Sequence, residues 1–213
     1  MIEFDGPVIV TGTDTGVGKT VTTAAIAAQL LSKGTTVEVV KIAQTGDDDD
    51  AATAGRLSGA PARCLRSYPD PLAPFAAARR AEAPLLRLKE VSDAALERTA
   101  DVVLLEGAGG LLVPMGEDGW NVRDLAVELG CPAVVVARAG LGTLNHTALT
   151  LEALSSRGVE AAVVIGAWPH EPGLAERENL LDLPGDRLGC IPDGAGELSP
   201  EVFRLGAGEW LAL

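Results

Sequence analysis

The sequence predicts an α/β fold, a doubly wound and mainly parallel sheet of the P-loop NTPase type, and three observations predict it. Aliphatic runs alternate with Ala/Leu-rich runs along the chain, the pattern of parallel strands covered on both faces by helices. The first aliphatic run, Val8 to Val10, passes directly into Gly12-Thr-Asp-Thr-Gly-Val-Gly-Lys-Thr20, a glycine-rich turn that opens a helix. Two further glycine turns, Gly107 to Gly110 and Gly140 to Thr143, also follow aliphatic runs. With 213 residues, 47% of them hydrophobic and only 3% aromatic, the chain suffices for one well-buried aliphatic core, so residues 1–213 are expected to form a single domain.

The elements follow in order. Val8 to Thr11 reads as the first strand, and Lys19 to Ser32 as a helix that Gly34 stops. Val37 to Lys41 is the second strand. An acidic run, Asp47 to Asp50, precedes a short helix over Ala51 to Ser58. The stretch containing Pro61, Pro69, Pro71 and Pro74 then reads as loop with helical pieces. A helix over Val91 to Thr99 leads into the strand Val102 to Glu106, Asn121 to Leu129 is helical, and Ala133 to Ala137 is a strand. The turn Gly140 to Thr143 opens a helix reaching about Ser156. Ala161 to Ile165 and the shorter Leu188 to Ile191 are the last strands, with no internal repeat and no long linker.

Charge narrows the function. The formal net charge of −13 repels nucleic acid and anionic lipid, which points to small molecules or another protein as partners. The segment Met1 to Gly6 lacks a basic and apolar leader, and no run reaches about 18 apolar residues, so a cytoplasmic protein without membrane segments is expected. Cys64, Cys131 and Cys190 are too widely spaced for a disulfide framework or a zinc site and read as small buried hydrophobes. His146 and His170 have no metal-spaced partner and read as structural or exposed.

The residues that carry chemistry cluster at strand ends. In the loop from Gly12 to Thr20, backbone N–H groups and the positive helix end converge on a polyanion, Lys19 reaches the outer phosphates, and the Thr20 hydroxyl suits a nucleotide-bound Mg²⁺. Counted back from Gly18, the usual first glycine falls on Thr13, so Gly12 comes one residue early. Asp14 stands where partition and nitrogenase-type ATPases carry an additional lysine. Lys41 closes the second strand; it reads either as a side chain leaving the core for water or as a cation for a developing anion. The chain has four lysines against thirteen arginines, which favours the second reading. Asp47 to Asp50 is a solvated loop or supplies one carboxylate to a metal, and Glu106, closing an aliphatic strand before a glycine turn, is the stronger metal candidate. Thr143, Leu144 and Asn145 open a helix whose free N–H groups either form a plain cap or bind a carboxylate.

Together, Gly12 to Thr20, Lys41 with Thr45-Gly46, Glu106-Gly-Ala-Gly-Gly110 and Leu141-Gly-Thr-Leu-Asn-His146 resemble the dethiobiotin synthetase family, ATP-dependent P-loop ligases of biotin synthesis, over residues 8–192. The resemblance implies a cytoplasmic homodimer that converts 7,8-diaminononanoate, CO₂ and ATP, or another nucleoside triphosphate, to dethiobiotin, the diphosphate and phosphate. It implies Lys41 and Lys19 as catalytic residues. Gly16, Val17, Gly18, Lys19 and Thr20 would hold the phosphates, with Thr20, Asp50 and Glu106 around Mg²⁺. Asp50 is preferred to Asp49 because Gly55-Arg-Leu57 sets the local register. Gly107, Ala108, Gly109, Gly166, Ala167, Pro192, Asp193 and Gly194 would complete the nucleotide site. Thr45, with the backbone of Thr143, Leu144 and Asn145 contributed across the dimer, would hold the substrate. Two departures stand out: Gly166-Ala-Trp168 replaces a base-reading asparagine, and Ile42-Ala-Gln44 follows Lys41 where proline is common. A related amidase-type ligase would need a further glutamine-hydrolysing domain, for which the chain has no room. A partition-type switch would carry the lysine that Asp14 replaces.

Overall fold

The computed structural model describes residues 2–97 and 99–213. From the amino end, β1 (Gly6–Gly12), α1 (Lys19–Ser32), β2 (Val37–Lys41), β3 (Gln44–Thr45), α2 (Asp50–Ser58), β4 (Ala62–Cys64), β5 (Ser67–Tyr68), α3 (Pro74–Arg80) and α4 (Leu88–Leu96) make up the first half. The second half runs β6 (Val102–Glu106), α5 (Val122–Leu129), β7 (Ala133–Ala137), α6 (Thr143–Ser155), β8 (Ala161–Trp168), α7 (Leu174–Asp182), β9 (Asp186–Pro192) and α8 (Pro200–Trp210).

Seven strands form one sheet in the order β4-β2-β6-β1-β7-β8-β9, and each neighbouring pair is parallel. Because side chains alternate across a strand, each strand feeds both faces. Val8 and Val10 of β1, with Val39, Leu104, Val136 and Val164, pack under α1, α2 and α8. Ile9, with Val103, Leu105 and Val135, packs under α3, α4 and α5. The strands are therefore aliphatic almost without interruption, the signature of a sheet buried on both sides. All strands of the sheet point the same way, so their carboxyl ends, and the glycine turns that follow β1, β6 and β7, share one edge.

Several elements differ from the sequence-based expectation. The Pro-rich stretch contains strands as well as helix: β4 extends the main sheet beyond β2, and β3 pairs with β5 through Gln44 and Ser67 in a two-stranded parallel sheet. Strands of two or three residues are too short to show a hydrophobic alternation. The helix expected over Val91 to Thr99 spans Leu88–Leu96, and Arg98 lies outside the described residues. β8 runs three residues past Ile165 to Trp168. Two helices, α7 and α8, fall in the segment read without helices. α7 buries only Asn179 and so presents no apolar stripe to detect, whereas α8 opens on a readable signal, Ser199 accepting from the Val202 N–H ahead of Pro200.

Candidate nucleotide-binding site

The loop after β1 is pinned from two sides. The Thr13 N–H donates to Val136 O of β7 at 3.0 Å, which ties the start of the loop to the neighbouring strand. At its other end, Gly18 has φ 94° and precedes the first residue of α1. A side chain at Gly18 would place Cβ 2.5 Å from the Gly166 carbonyl oxygen, and a Cβ on Gly166 would overlap the Val17 carbonyl and the Val136 side chain. β8 is thus the floor of the loop. Gly166, which sequence reading treated as a missing base-reading side chain, is a position where backbone meets backbone. Beyond it, Ala167 is exposed and Trp168 half-buried. Pro192 pairs with Trp168, the Asp193 N–H donates to Trp168 O at 2.8 Å, and Gly194 follows with φ 76°. These residues form a rim beside the loop.

Sheet register brings the charged groups together. Lys41 on β2 lies opposite Glu106 on β6, and Glu106 lies opposite Val10 on β1 immediately before the loop. The Lys41 ammonium sits 2.7 Å from Glu106 Oε1 and 2.5 Å from Asp50 Oδ2, and donates to Gly107 O at 3.1 Å. Glu106 Oε1 also accepts from the Thr20 hydroxyl at 2.8 Å. One carboxylate oxygen therefore joins the loop helix to the strand-end lysine. Lys19 donates to the Asp14 carbonyl oxygen at 2.9 Å. Asp49 and Asp50 take different roles: the Asp49 carboxylate caps α2 by accepting from the Ala52 N–H at 2.9 Å, while Asp50 faces Lys41.

Protonation follows from this packing. Burial, aided by repulsion from Lys41, lowers the Lys19 pKa to about 8. Burial also opposes the charge on Lys41, but Glu106 and Asp50 outweigh it and hold Lys41 above the ordinary lysine value. Lys41 is therefore a fixed cation, and Lys19 a titrating one.

A cavity of about 390 Å³ opens over these groups. Gly16, Gly18, Lys19, Thr20, Lys41, Thr45, Asp50, Glu106, Ala108 and Gly109, all singled out from sequence, line it. Val17 is buried beneath the loop, and Gly107 contributes its carbonyl to Lys41. Thr143, Leu144 and Asn145 do not line it. Thr143 is buried and its N–H is used within the turn, donating to Gly140 O at 3.3 Å, so only Leu144 and Asn145 present free first-turn amides. Larger hollows, of about 670 and 700 Å³ at the amino edge of the sheet and about 470 Å³ beside α4, contain none of the expected site residues. Sequence reasoning missed Gln44, whose side-chain oxygen accepts from the Asp50 N–H at 3.2 Å, and Arg138, which pairs with Asp14. The place of Gln44 between Lys41 and Thr45 was its only signal.

A glycine loop that opens a helix, a lysine inside it, and a strand-end carboxylate bonded to the loop threonine define a nucleotide-binding protein of the P-loop class. A family model described as an AAA domain matches residues 7–195. Signal Recognition Particle 54 kDa protein from Aeropyrum pernix, in complex with GDP, superposes with a TM-score of 0.57 at 17% identity, over 97% of this chain and 46% of that one. The MinC:MinD complex of Aquifex aeolicus gives 0.54 at 15% identity, over 98% of both chains. These likenesses concern the fold alone. The ATP-dependent dethiobiotin synthetase BioD of Rhodococcus jostii is 52% identical over 95% of this chain and 93% of its own length. That of Saccharopolyspora erythraea is 54% identical over 92% and 90%. The chain belongs to the dethiobiotin synthetase family.

Two outcomes follow from the geometry. Gly166→Ala should cost about 1–3 kcal/mol of stability by overpacking and weaken nucleotide binding roughly tenfold, which is about 1.4 kcal/mol, because the loop must shift; urea unfolding and calorimetric titration measure the two effects. Because a triphosphate selects the Lys19 ammonium, metal-free nucleotide affinity should be flat well below pH 8. It should then fall by about tenfold per unit above that value as the free protein loses the proton. Lys19→Arg should abolish this slope.

Proposed function

We propose that the chain closes the ureido ring of dethiobiotin from 7,8-diaminononanoate and CO₂ at the expense of ATP or another nucleoside triphosphate. The observation that carries this reading is Lys41, held between Glu106 and Asp50 within the cavity beside the phosphate loop, in a chain half identical to dethiobiotin synthetases. One substrate amine captures CO₂ as a carbamate. A carbamate oxygen attacks the γ-phosphate, the nucleoside diphosphate leaves, and a carbamic-phosphoric anhydride remains. The second amine then attacks the carbonyl carbon and expels phosphate. Each intermediate carries negative charge, so fixed cations at the reacting atoms lower the barrier. In this reading Lys19 meets the transferring phosphoryl group and Lys41 the carbamate and its anhydride. Thr45, on the cavity wall, contacts the diamine.

The donor set fits Mg²⁺. Asp50, Glu106 and Thr20 line one cavity and offer it two carboxylates and a hydroxyl, a set that suits a hard cation completing its shell with phosphate oxygens and water. When bound, Mg²⁺ would neutralise charge on the triphosphate.

A homodimer completes the substrate site in this reading. The free N–H groups of Leu144 and Asn145 lie outside the cavity of their own chain, Leu141 in the same turn is exposed, and exposed Leu112 and Leu149 line one shallow hollow. A second copy covering these leucines would bring those amides to the diaminononanoate carboxylate. The rim formed by Gly166 to Trp168 and Pro192 to Gly194 receives the base; without an asparagine amide, base selection is loose. The reading takes residues 1–213 as one domain that works in the cytoplasm on small molecules, and no described helix is long and apolar enough to cross a membrane.

Phosphate release should require the nucleotide, diaminononanoate and bicarbonate together. Release that ignores both co-substrates and responds to DNA or to a second protein would sink the ligase reading. Lys41→Ala should lower kcat by roughly 100-fold or more with little change in nucleotide affinity, whereas Lys19→Ala should damage both; steady-state kinetics beside equilibrium binding separates them.

A further inference from the structure

Asp14 presents a problem that the proposed chemistry does not absorb. It is an acidic residue inside a loop whose amides cup a polyanion, two residues before the positive-φ Gly16. An unneutralised carboxylate at that place would repel the triphosphate over a few ångströms. The structure supplies the counter-charge from a distant part of the chain. Arg138, the first residue past the end of β7, places Nη2 2.5 Å from Asp14 Oδ2. The main chain runs parallel to this link, since Thr13 beside Asp14 is bonded to Val136 of β7, two residues before Arg138. Asp14 is also a node: its carboxylate holds Arg138 and its carbonyl oxygen holds the Lys19 ammonium.

Arg138 and Asp14 are 43% and 52% exposed at their side chains. A pair this open to water contributes little to folding stability. Its consequence lies in the charge seen by a phosphate arriving at the loop. We propose that Arg138 is a positioning residue for nucleotide binding, which neutralises Asp14 and keeps its carbonyl oxygen where Lys19 rests before the phosphates draw it away. The inference rests on the reading of the loop as a nucleotide site. It adds the residue that follows β7 to that site and gives Asp14 a role. It also predicts that the defect left by losing Arg138 is electrostatic and belongs to Asp14.

The test is a double-mutant cycle on the full chain, read by calorimetric titration with Mg²⁺-nucleotide at two salt concentrations and by steady-state kinetics. The unaltered protein is measured first, and failure to bind nucleotide would overturn the underlying reading. Given binding, Arg138→Ala should raise Kd and KM for nucleotide by roughly three- to tenfold while kcat stays within about twofold, with the defect shrinking as salt rises. Asp14→Asn should bind at least as tightly as the unaltered protein. The double variant should return to within about twofold of Asp14→Asn. An unchanged Kd in Arg138→Ala overturns the proposal, and so does a double variant as weak as Arg138→Ala, which would mean that arginine meets the phosphates directly. Thermal melting accompanies each variant. Arg138→Gln, which keeps the side-chain stem, stands in for Arg138→Ala under the same criteria if the latter unfolds.

Discussion

The site depends on one carboxylate oxygen. Glu106 Oε1 accepts from Thr20 on the loop helix and from Lys41 on β2, so it connects three segments that sequence separates by up to 86 residues. Lys41 and Glu106 are 3% and 1% exposed at their side chains. Two charges this deep must stay paired, because removing either partner leaves the other uncompensated at about 3–5 kcal/mol. Replacing both with aliphatic residues would satisfy the core equally well, as the rest of β2 and β6 does. The pair is thus a constraint accepted by the core that makes sense through what it presents at the carboxyl edge: an ammonium that cannot leave and cannot lose its proton near neutrality.

That edge was legible in the sequence where a residue breaks a local rule. Lys41 and Glu106 are charges closing aliphatic strands, and the glycine turns after β1, β6 and β7 announce changes of direction at one edge of a parallel sheet. Strand identity and direction then sufficed to bring them together, since Lys41 and Glu106 are register partners. Where local pattern was silent, the reading failed. β3 and β5 are two residues each, α7 buries one side chain, and the Asp14 to Arg138 pair spans 124 positions with no motif at either end. Gly166 was visible as a position without a base-reading side chain, but its steric role appears only when the loop lies on β8. The two-stranded sheet has the same character, because pairing of Gln44 with Ser67 fixes the segment from which Gln44 reaches the first turn of α2 and Thr45 reaches the cavity.

The distribution of charge explains how a chain of net charge −13 can accept a polyanion. Positive groups at the site are already engaged: Lys41 with Glu106 and Asp50, Lys19 with a carbonyl oxygen, Arg138 with Asp14. Neither lysine has to be drawn out of bulk water when a nucleotide arrives, so binding acts on groups that folding has already oriented. Preorganisation of this kind carries a specific penalty, since every anionic partner near the loop competes with the ligand. The three cations differ in how that competition is set. Lys41 faces two carboxylates and stays put, which suits a group that receives the proposed carbamate and its anhydride in place. Lys19 is held by a neutral carbonyl and weakened by burial, so a phosphate easily outbids its present partner. The strength of each resting contact thus matches what each cation meets in the proposed reaction: Lys19 yields its carbonyl partner to a phosphate, whereas Lys41 keeps its place beside the carbamate and the anhydride formed from it.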